Sequence, residues 1–302
     1  MAEIVMISPL AQLKRYKVRP KKHLGQNFLL DENTVEQIVA VYDLAEDDLV
    51  VEIGAGLGVL TQRLAQKVSK VLAIEIDKTL ADLLRDKIIK EKNVEVVEQN
   101  ILDFDFPTVA KLHCKELKVL GNIPYGISIP LVFKLLECKA FLSMAVLMFQ
   151  KEVADRIVAC PGKKDYGVLS VFSQVSAAVT RELVVDRYNF YPQPKVDSAV
   201  VKFSFSAAPF LGIKDEQMFK RVVRASFAQR RKTLKNSLKN SLNLNIRFEE
   251  VLSSVKLCGI DPQRRGETLS LEEFRDLSND LAERQCSLPA SSDKKTPKVS
   301  SE

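Results

Sequence analysis

The run Leu49-Val50-Val51-Glu52-Ile53 passes without a break into Gly54-Ala55-Gly56-Leu57-Gly58. A short apolar segment that ends in glycines, followed by Leu60, Leu64 and Val68 at helical spacing, reads as strand, tight turn and helix. Such a turn lets the backbone approach a ligand closely and exposes N–H groups of the opening helix nearby. The unit confines the chain to layered α/β architectures, and the following residues keep its rhythm. Val71 to Ile76, Val94 to Val97, Lys118 to Leu120 and Met144 to Phe149 read as further strands with helices between them. The expected fold is α/β: a Rossmann-like domain with a mainly parallel sheet covered by helices on both faces.

Ahead of this core, Asp31 is placed to cap a helix carrying Val35, Ile38, Val39 and Tyr42 on one face. After about residue 180 the pattern changes. Ser198 to Phe205 alternates like an antiparallel strand, and Pro192 and Pro194 before it mark an irregular loop. Glu216 to Glu283 reads as all-helical, with a break near Gly259-Ile260-Asp261-Pro262. The expected organisation is a basic arm over 1–22, the α/β domain over 23–208, a small helical domain over 209–285 and a disordered tail over 286–302. With 302 residues there is chain enough for one large and one small core.

Several chemistries are disfavoured. The five cysteines are scattered and form no C-x-x-C pair, and His23 and His113 are the only histidines. A disulfide framework, a zinc site or a Ser-His-Asp triad is therefore not expected, and no metal is assigned. No run approaches the roughly 20 apolar residues of a membrane span, and no secretory h-region is visible, so a cytoplasmic monomer is expected.

The net charge of +6 is clustered. Lys14, Arg15, Lys17, Arg19, Lys21 and Lys22 come with no acid among them, and nine basic residues between Gln217 and Phe248 likewise. A solvated helix face is the ordinary reading of such a run. Two acid-free clusters far apart point instead to RNA phosphates. A helix over 217–240, with Arg230, Arg231 and Lys232, is the expected docking element.

The glycine spacing Gly54-x-Gly56-x-Gly58 does not match the dinucleotide fingerprint G-x-G-x-x-G. Glu75 lies 17 residues after Gly58, at the carboxyl end of the next strand, where a carboxylate can accept from both ribose hydroxyls of an adenosine. Read alone, Glu75 is equally consistent with an exposed strand end. Glu52 is suited either to neighbouring backbone or to a cofactor ammonium group. The loop by itself leaves a nicotinamide cofactor open.

A second motif narrows the choice. Asn122-Ile123-Pro124-Tyr125 follows the strand ending in Gly121. Ligands in open α/β sheets sit beyond the carboxyl ends of the strands, which is where Gly54, Glu75 and Asn122 would meet. The adenine amine is a poor nucleophile because its lone pair is delocalised into the ring. Acceptors at both N–H groups favour rehybridisation, and the Asn122 side-chain oxygen and the Ile123 carbonyl would supply them. Pro124 stiffens the backbone, and Tyr125 offers a flat face for the base. No strong base is needed when the leaving group is a sulfonium, so catalysis is mainly alignment. A plain turn is the competing reading of these four residues.

Five ordered segments carry a resemblance to the small-subunit ribosomal RNA adenine dimethyltransferases of the KsgA type. They are Leu24 to Leu29, Val51 to Gly58, Gly121 to Tyr125, Phe190 to Ser198 and Phe227 to Thr233, within a match from about Lys21 to Leu281. The resemblance implies an S-adenosyl-L-methionine-dependent enzyme that dimethylates N6 of two adjacent adenosines in the 3′-terminal hairpin of 16S rRNA, in small-subunit biogenesis. Its partner would be small-subunit rRNA, within an assembling subunit. It implies that Asn27, Leu29, Gly54, Glu75 and Asn122 contact the cofactor, and that Phe190 stacks on the target base opposite Tyr125. Without the resemblance, Phe190 reads as readily as a core aromatic. Where the family commonly has an Asp against the cofactor adenine, this chain has Asn100, with Asp103 as the alternative. Competing functions are a large-subunit rRNA adenine methyltransferase, an RNA-binding assembly factor and a nicotinamide oxidoreductase. The intact Asn122 to Tyr125 segment argues against an assembly factor that has lost catalysis, and the glycine spacing with the missing hydride-transfer acid argues against the oxidoreductase.

Overall fold

The computed structural model describes residues 9–87, 91–209, 211–242 and 246–287. Among the described residues nine strands form, in chain order: β1 (Phe28–Leu29), β2 (Leu49–Ile53), β3 (Lys70–Glu75), β4 (Val94–Glu98), β5 (Leu117–Asn122), β6 (Leu142–Gln150), β7 (Ala178–Val185), β8 (Phe190–Tyr191) and β9 (Ser198–Ser204). Seven make one sheet in the order β4-β3-β2-β5-β6-β9-β7. β4 to β6 are parallel, whereas β9 runs antiparallel to both β6 and β7. The strand order reverses between β2 and β5, the switch point at which open α/β sheets form their crevice. β1 and β8 make a separate antiparallel ribbon.

The helices are α1 (Pro9–Arg15), α2 (Glu32–Val41), α3 (Val59–Ala65), α4 (Lys78–Lys87), α5 (Phe106–His113), α6 (Ser128–Glu137), α7 (Lys151–Val158), α8 (Val168–Ser176), α9 (Glu216–Phe227), α10 (Leu234–Ser241), α11 (Phe248–Leu257) and α12 (Leu271–Ser287). The Asp31 carboxylate accepts from the Thr34 N–H at 2.7 Å and thereby starts α2, as its sequence indicates. Val35, Ile38 and Val39 of α2 pack with Leu60 and Leu64 of α3 against Val50, Val71, Leu120, Val146 and Val200 on one sheet face. Side chains alternate along a strand, so Val51, Val119, Ala145 and Leu147 point to the other face. They too are fully buried, so both faces are covered.

Two compact units divide the chain. The first holds the described residues within 1–160 and 165–210, and the second those within 161–164 and 211–302. Within the second, α9 packs on α10 and α12. The helix expected over 217–240 is two helices, broken at 228–233. The Leu234 N–H donates to the Arg264 carbonyl at 2.6 Å and the Lys235 N–H to Pro262 at 3.1 Å, so the first turn of α10 bonds to that loop instead of continuing α9. Thr233 caps the new helix.

Part of the stretch expected as a basic arm is also ordered. α1 seats Leu13 against Phe28, Leu57, Leu80 and Leu83. The expected disordered tail lies, beyond Ser287, outside the described residues. No helix among the described residues is long and apolar enough to cross a membrane.

Candidate active site

A cavity of about 470 Å³ opens at the carboxyl ends of β2, β3 and β5. The loop after β2 forms its floor. Gly54, Gly56 and Gly58 all have positive φ, at 68°, 56° and 75°. Gly54 shows why a side chain is excluded there: a Cβ would stand 3.3 Å from the Asn122 carbonyl oxygen. β2 and β5 thus approach each other closely where their loops diverge.

Glu75 closes β3 with its side chain turned back on this loop. Its Oε2 accepts from the Gly56 N–H at 2.9 Å and its Oε1 from the Asp77 N–H at 2.9 Å. Burial raises its pKa, and those two backbone hydrogen bonds oppose the rise. Each carboxylate oxygen keeps a further lone pair, enough for two ribose hydroxyls. Beside it, Ile76 lines the cavity and is 49% exposed, an apolar surface suited to a flat heterocycle. Neither Ile76 nor His23, which borders the cavity as well, stands out in the sequence. An exposed Ile directly after a strand-end acid is the signal available for Ile76.

Asn100 lines the cavity, whereas Asp103 is absent from the lining and exposed. The Asn100 Oδ1 accepts from the Leu102 N–H at 3.0 Å, which orients the amide. Glu52 lies beneath the loop, 1% exposed, with Oε2 unpartnered. Burial pushes its carboxyl up to about 8, the Thr61 hydroxyl opposes this and the Glu75 charge adds to it. Among the described residues no cluster of His, Cys, Asp and Glu could hold a metal.

The Asn122 to Tyr125 segment forms the opposite wall. The Ile123 N–H donates to the Met148 carbonyl at 3.1 Å, anchoring the segment on β6. The Asn122 Nδ2 donates to the Asn27 carbonyl at 3.0 Å. That bond assigns the two ends of the amide: Nδ2 is engaged, and Oδ1 has no protein partner among the described residues. The Tyr125 hydroxyl shares a hydrogen bond of 3.0 Å with the hydroxyl of Ser198, which holds the ring. Burial raises the Tyr125 pKa, so the phenol stays neutral.

Asn27, Leu29, Gly54, Glu75, Asn100, Asn122 and Tyr125 all line this one cavity. Phe190 does not. Leu29 pairs with Phe190 and Phe28 with Tyr191, and paired residues in an antiparallel ribbon face the same side. Leu29 and Phe190 therefore turn together into the core cluster, where Phe190 is 3% exposed. The expected second aromatic wall opposite Tyr125 is absent from this arrangement. Arg230, Arg231 and Lys232 sit on the turn between α9 and α10 and are exposed. Arg230 pairs with Glu267 at 3.2 Å, whereas Arg231 and Lys232 have no ion-pair partner among the described residues.

A family model described as ribosomal RNA adenine dimethylase matches residues 18–283. A ribosomal RNA small subunit methyltransferase A from Geobacter metallireducens is 44% identical over 262 residues, covering 86% of this chain and 95% of the relative. The protein of the same name from Bacillus mycoides is 44% identical over 273 residues, covering 89% and 94%. Among solved structures, a dimethyladenosine transferase from Plasmodium falciparum superposes with a TM-score of 0.74 at 27% identity, covering 85% of this chain and 98% of that one. The 23S rRNA methyltransferase ErmE superposes with a TM-score of 0.66 at 28% identity, covering 84% and 99%.

Proposed function

The chain belongs to the ribosomal RNA adenine dimethylase family, and on that premise we propose that it dimethylates N6 of two adjacent adenosines in the 3′-terminal hairpin of small-subunit rRNA. The small-subunit target is favoured over the large-subunit one because the curated relatives at 44% identity are small-subunit enzymes and cover most of both chains. The observation that carries the chemistry is the Asn122 amide, whose Nδ2 is held by Asn27 while Oδ1 remains available at the cavity.

The cavity suits S-adenosyl-L-methionine. Gly54 lets the methionine part lie against the loop, Glu75 takes the ribose, Ile76 offers a face to the adenine, and Asn100 addresses the adenine edge. Asn27 and Leu29 border the same space from the N-terminal side. When bound, the cofactor supplies a methyl group on a sulfonium. The protein's part is to hold the target amine in line with it. Asn122 Oδ1 and the Ile123 carbonyl would accept hydrogen bonds from the amine N–H groups, two before the first transfer and one before the second, which raises electron density on N6. After each transfer the cationic nitrogen releases one proton to solvent. Positive charge develops on that nitrogen during transfer, so both acceptors strengthen in the transition state. Tyr125, fixed by Ser198, stacks on the base. Phe190 backs the β1 ribbon from the core.

A flipped-out adenosine costs a few kcal/mol of lost stacking, less in a hairpin loop. The second unit would offset this through phosphate contacts, chiefly Arg231 and Lys232. The natural substrate would be an assembling small subunit, met in the cytoplasm by a monomer. Mass spectrometry of rRNA from cells with and without the protein tests the function: dimethyladenosine lost from the 3′ hairpin supports it, and an unchanged signal overturns it. S-adenosylhomocysteine should raise the melting temperature and NAD should not.

A further inference from the structure

The segment from Lys21 to Leu29 borders the cavity and is tied down at both ends. At its start, the Lys21 Nζ donates to Asp77 Oδ1 at 2.8 Å and the Gln26 Nε2 to Asp77 Oδ2 at 2.9 Å. The Lys21 N–H closes the loop on Gln26 Oε1 at 2.8 Å. In the middle, Gly25 has φ +64° and lies against the opposite wall. A Cβ there would stand 3.5 Å from the Tyr125 nitrogen and 3.6 Å from Pro124 Cβ. At the far end the Asn27 carbonyl receives the Asn122 amide. One segment therefore connects the ribose end of the cavity, two residues beyond Glu75, to the group that receives the amine.

Asp77 is only 3% exposed, and its carboxylate bonds to this segment and to the start of α4, where it accepts from the Thr79 N–H at 3.0 Å. Burial alone would raise its pKa. The Lys21 and Gln26 hydrogen bonds and the Lys21 charge outweigh that, and the carboxyl is held below its usual range. A buried carboxylate satisfied in this way by two side chains of one segment is costly to break, because the remaining charge would be left unpaired.

We propose that Asp77 is a positioning residue for methyl transfer: by latching residues 21–26 it holds the Asn27 carbonyl where it orients the Asn122 amide. The proposal rests on the role given to Asn122 above. Without the latch the Asn27 carbonyl no longer distinguishes the two ends of that amide. A rotated amide presents Nδ2, a donor, to an amine that has only protons to give. Loss of the latch must therefore lower kcat, beyond any weakening of cofactor binding through Asn27 and Leu29.

The double variant Lys21→Met with Gln26→Leu removes the latch and leaves Asp77 in place to cap α4. The full-length variant should show kcat lowered at least tenfold at saturating S-adenosylmethionine and small-subunit RNA. Trypsin should cut faster after Lys22 in the presence of S-adenosylhomocysteine, and kcat should stay lowered at temperatures well below the variant's own, reduced melting midpoint. Lys21→Arg with Gln26→Leu should recover most of the kcat, since a guanidinium still reaches a carboxylate. Wild-type kcat in the double variant overturns the proposal. So does a loss fully recovered by raising the cofactor concentration, or one that merely tracks a fall in melting temperature. If the wild-type chain itself left rRNA unmethylated, the reading of Asn122 would fall and this proposal with it. That result is distinct from a wild type that methylates alongside a double variant that does so equally well.

Discussion

Replacing Asn122 by Ala bears most directly on the amine-polarising site. The side chain makes one bond to the protein, from Nδ2 to the Asn27 carbonyl at 3.0 Å, and offers Oδ1 to the substrate. Losing the first is a ground-state effect, worth about 0.5–1.5 kcal/mol for a net neutral hydrogen bond. Losing the second removes a pre-oriented dipole from where charge develops. Deleting one such group from an oxyanion-type site costs about 10²–10³ in kcat, or about 2.7–4 kcal/mol. An acceptor facing a developing cation is the same problem with the signs exchanged. The expected result is therefore a kcat lowered about a hundred- to a thousandfold, with the affinity for S-adenosylhomocysteine reduced less than about tenfold. Transfer of labelled methyl groups to unmethylated small-subunit rRNA measures the first, and titration calorimetry the second. Asn122→Asp keeps an acceptor for the amine but turns another one toward the Asn27 carbonyl, so it should fall between wild type and Ala. Wild-type turnover in Asn122→Ala would refute the amine-polarising role whatever the fold.

Glu52 carries a pH signature. Its folded pKa, pushed up to about 8 by burial, lies above the ordinary carboxyl value. Between those values the folded chain holds a proton that the unfolded chain has released, so stability declines as pH rises through that window. Glu52→Gln should flatten the fall in melting temperature between pH 5.5 and 8, and equal slopes for the two proteins would reject the assignment. Arg231→Glu with Lys232→Glu should weaken small-subunit RNA binding and lower the salt slope by about two, at about 0.9 per phosphate contact. Adding Arg230→Glu should matter less, because Glu267 already neutralises that side chain, and an unchanged slope in the double variant would exclude the turn from the interface. Phe190→Leu keeps the core cluster filled and should cost about 1 kcal/mol of stability with kcat within threefold of wild type. A hundredfold loss of kcat in a stable variant that binds cofactor would show that the ring leaves the core to meet the base.

What the sequence reveals of this molecule follows from the range over which each signal acts. β2 is legible residue for residue because its apolar run ends at glycines whose positive φ few other residues tolerate. β7 is not, because it is an edge strand with Thr180, Arg181 and Glu182 exposed, and an edge needs no apolar alternation. The break between α9 and α10 is hidden for a different reason. It arises from carbonyls of Pro262 and Arg264 that capture the first turn of α10, and nothing between residues 217 and 240 encodes them.

The same distinction governs the site. Asn122 and Glu75 declare themselves through local spacing, but the bond that assigns the Asn122 amide comes from Asn27, 95 residues away. Phe190 and Tyr191 are adjacent aromatics, and either parity satisfies the motif. The register of a two-residue ribbon decides between them, sending Phe190 inward with Leu29 and leaving Tyr191 43% exposed. A one-residue slip would exchange their faces. The residue types needed to activate an amine are thus written in short segments. Their orientation depends on the Lys21 to Leu29 segment, which pairs with the aromatic ribbon, holds the Asn122 amide and is itself held by Asp77. Catalytic geometry here should accordingly respond to changes near residue 21 as sharply as to changes beside the reacting nitrogen.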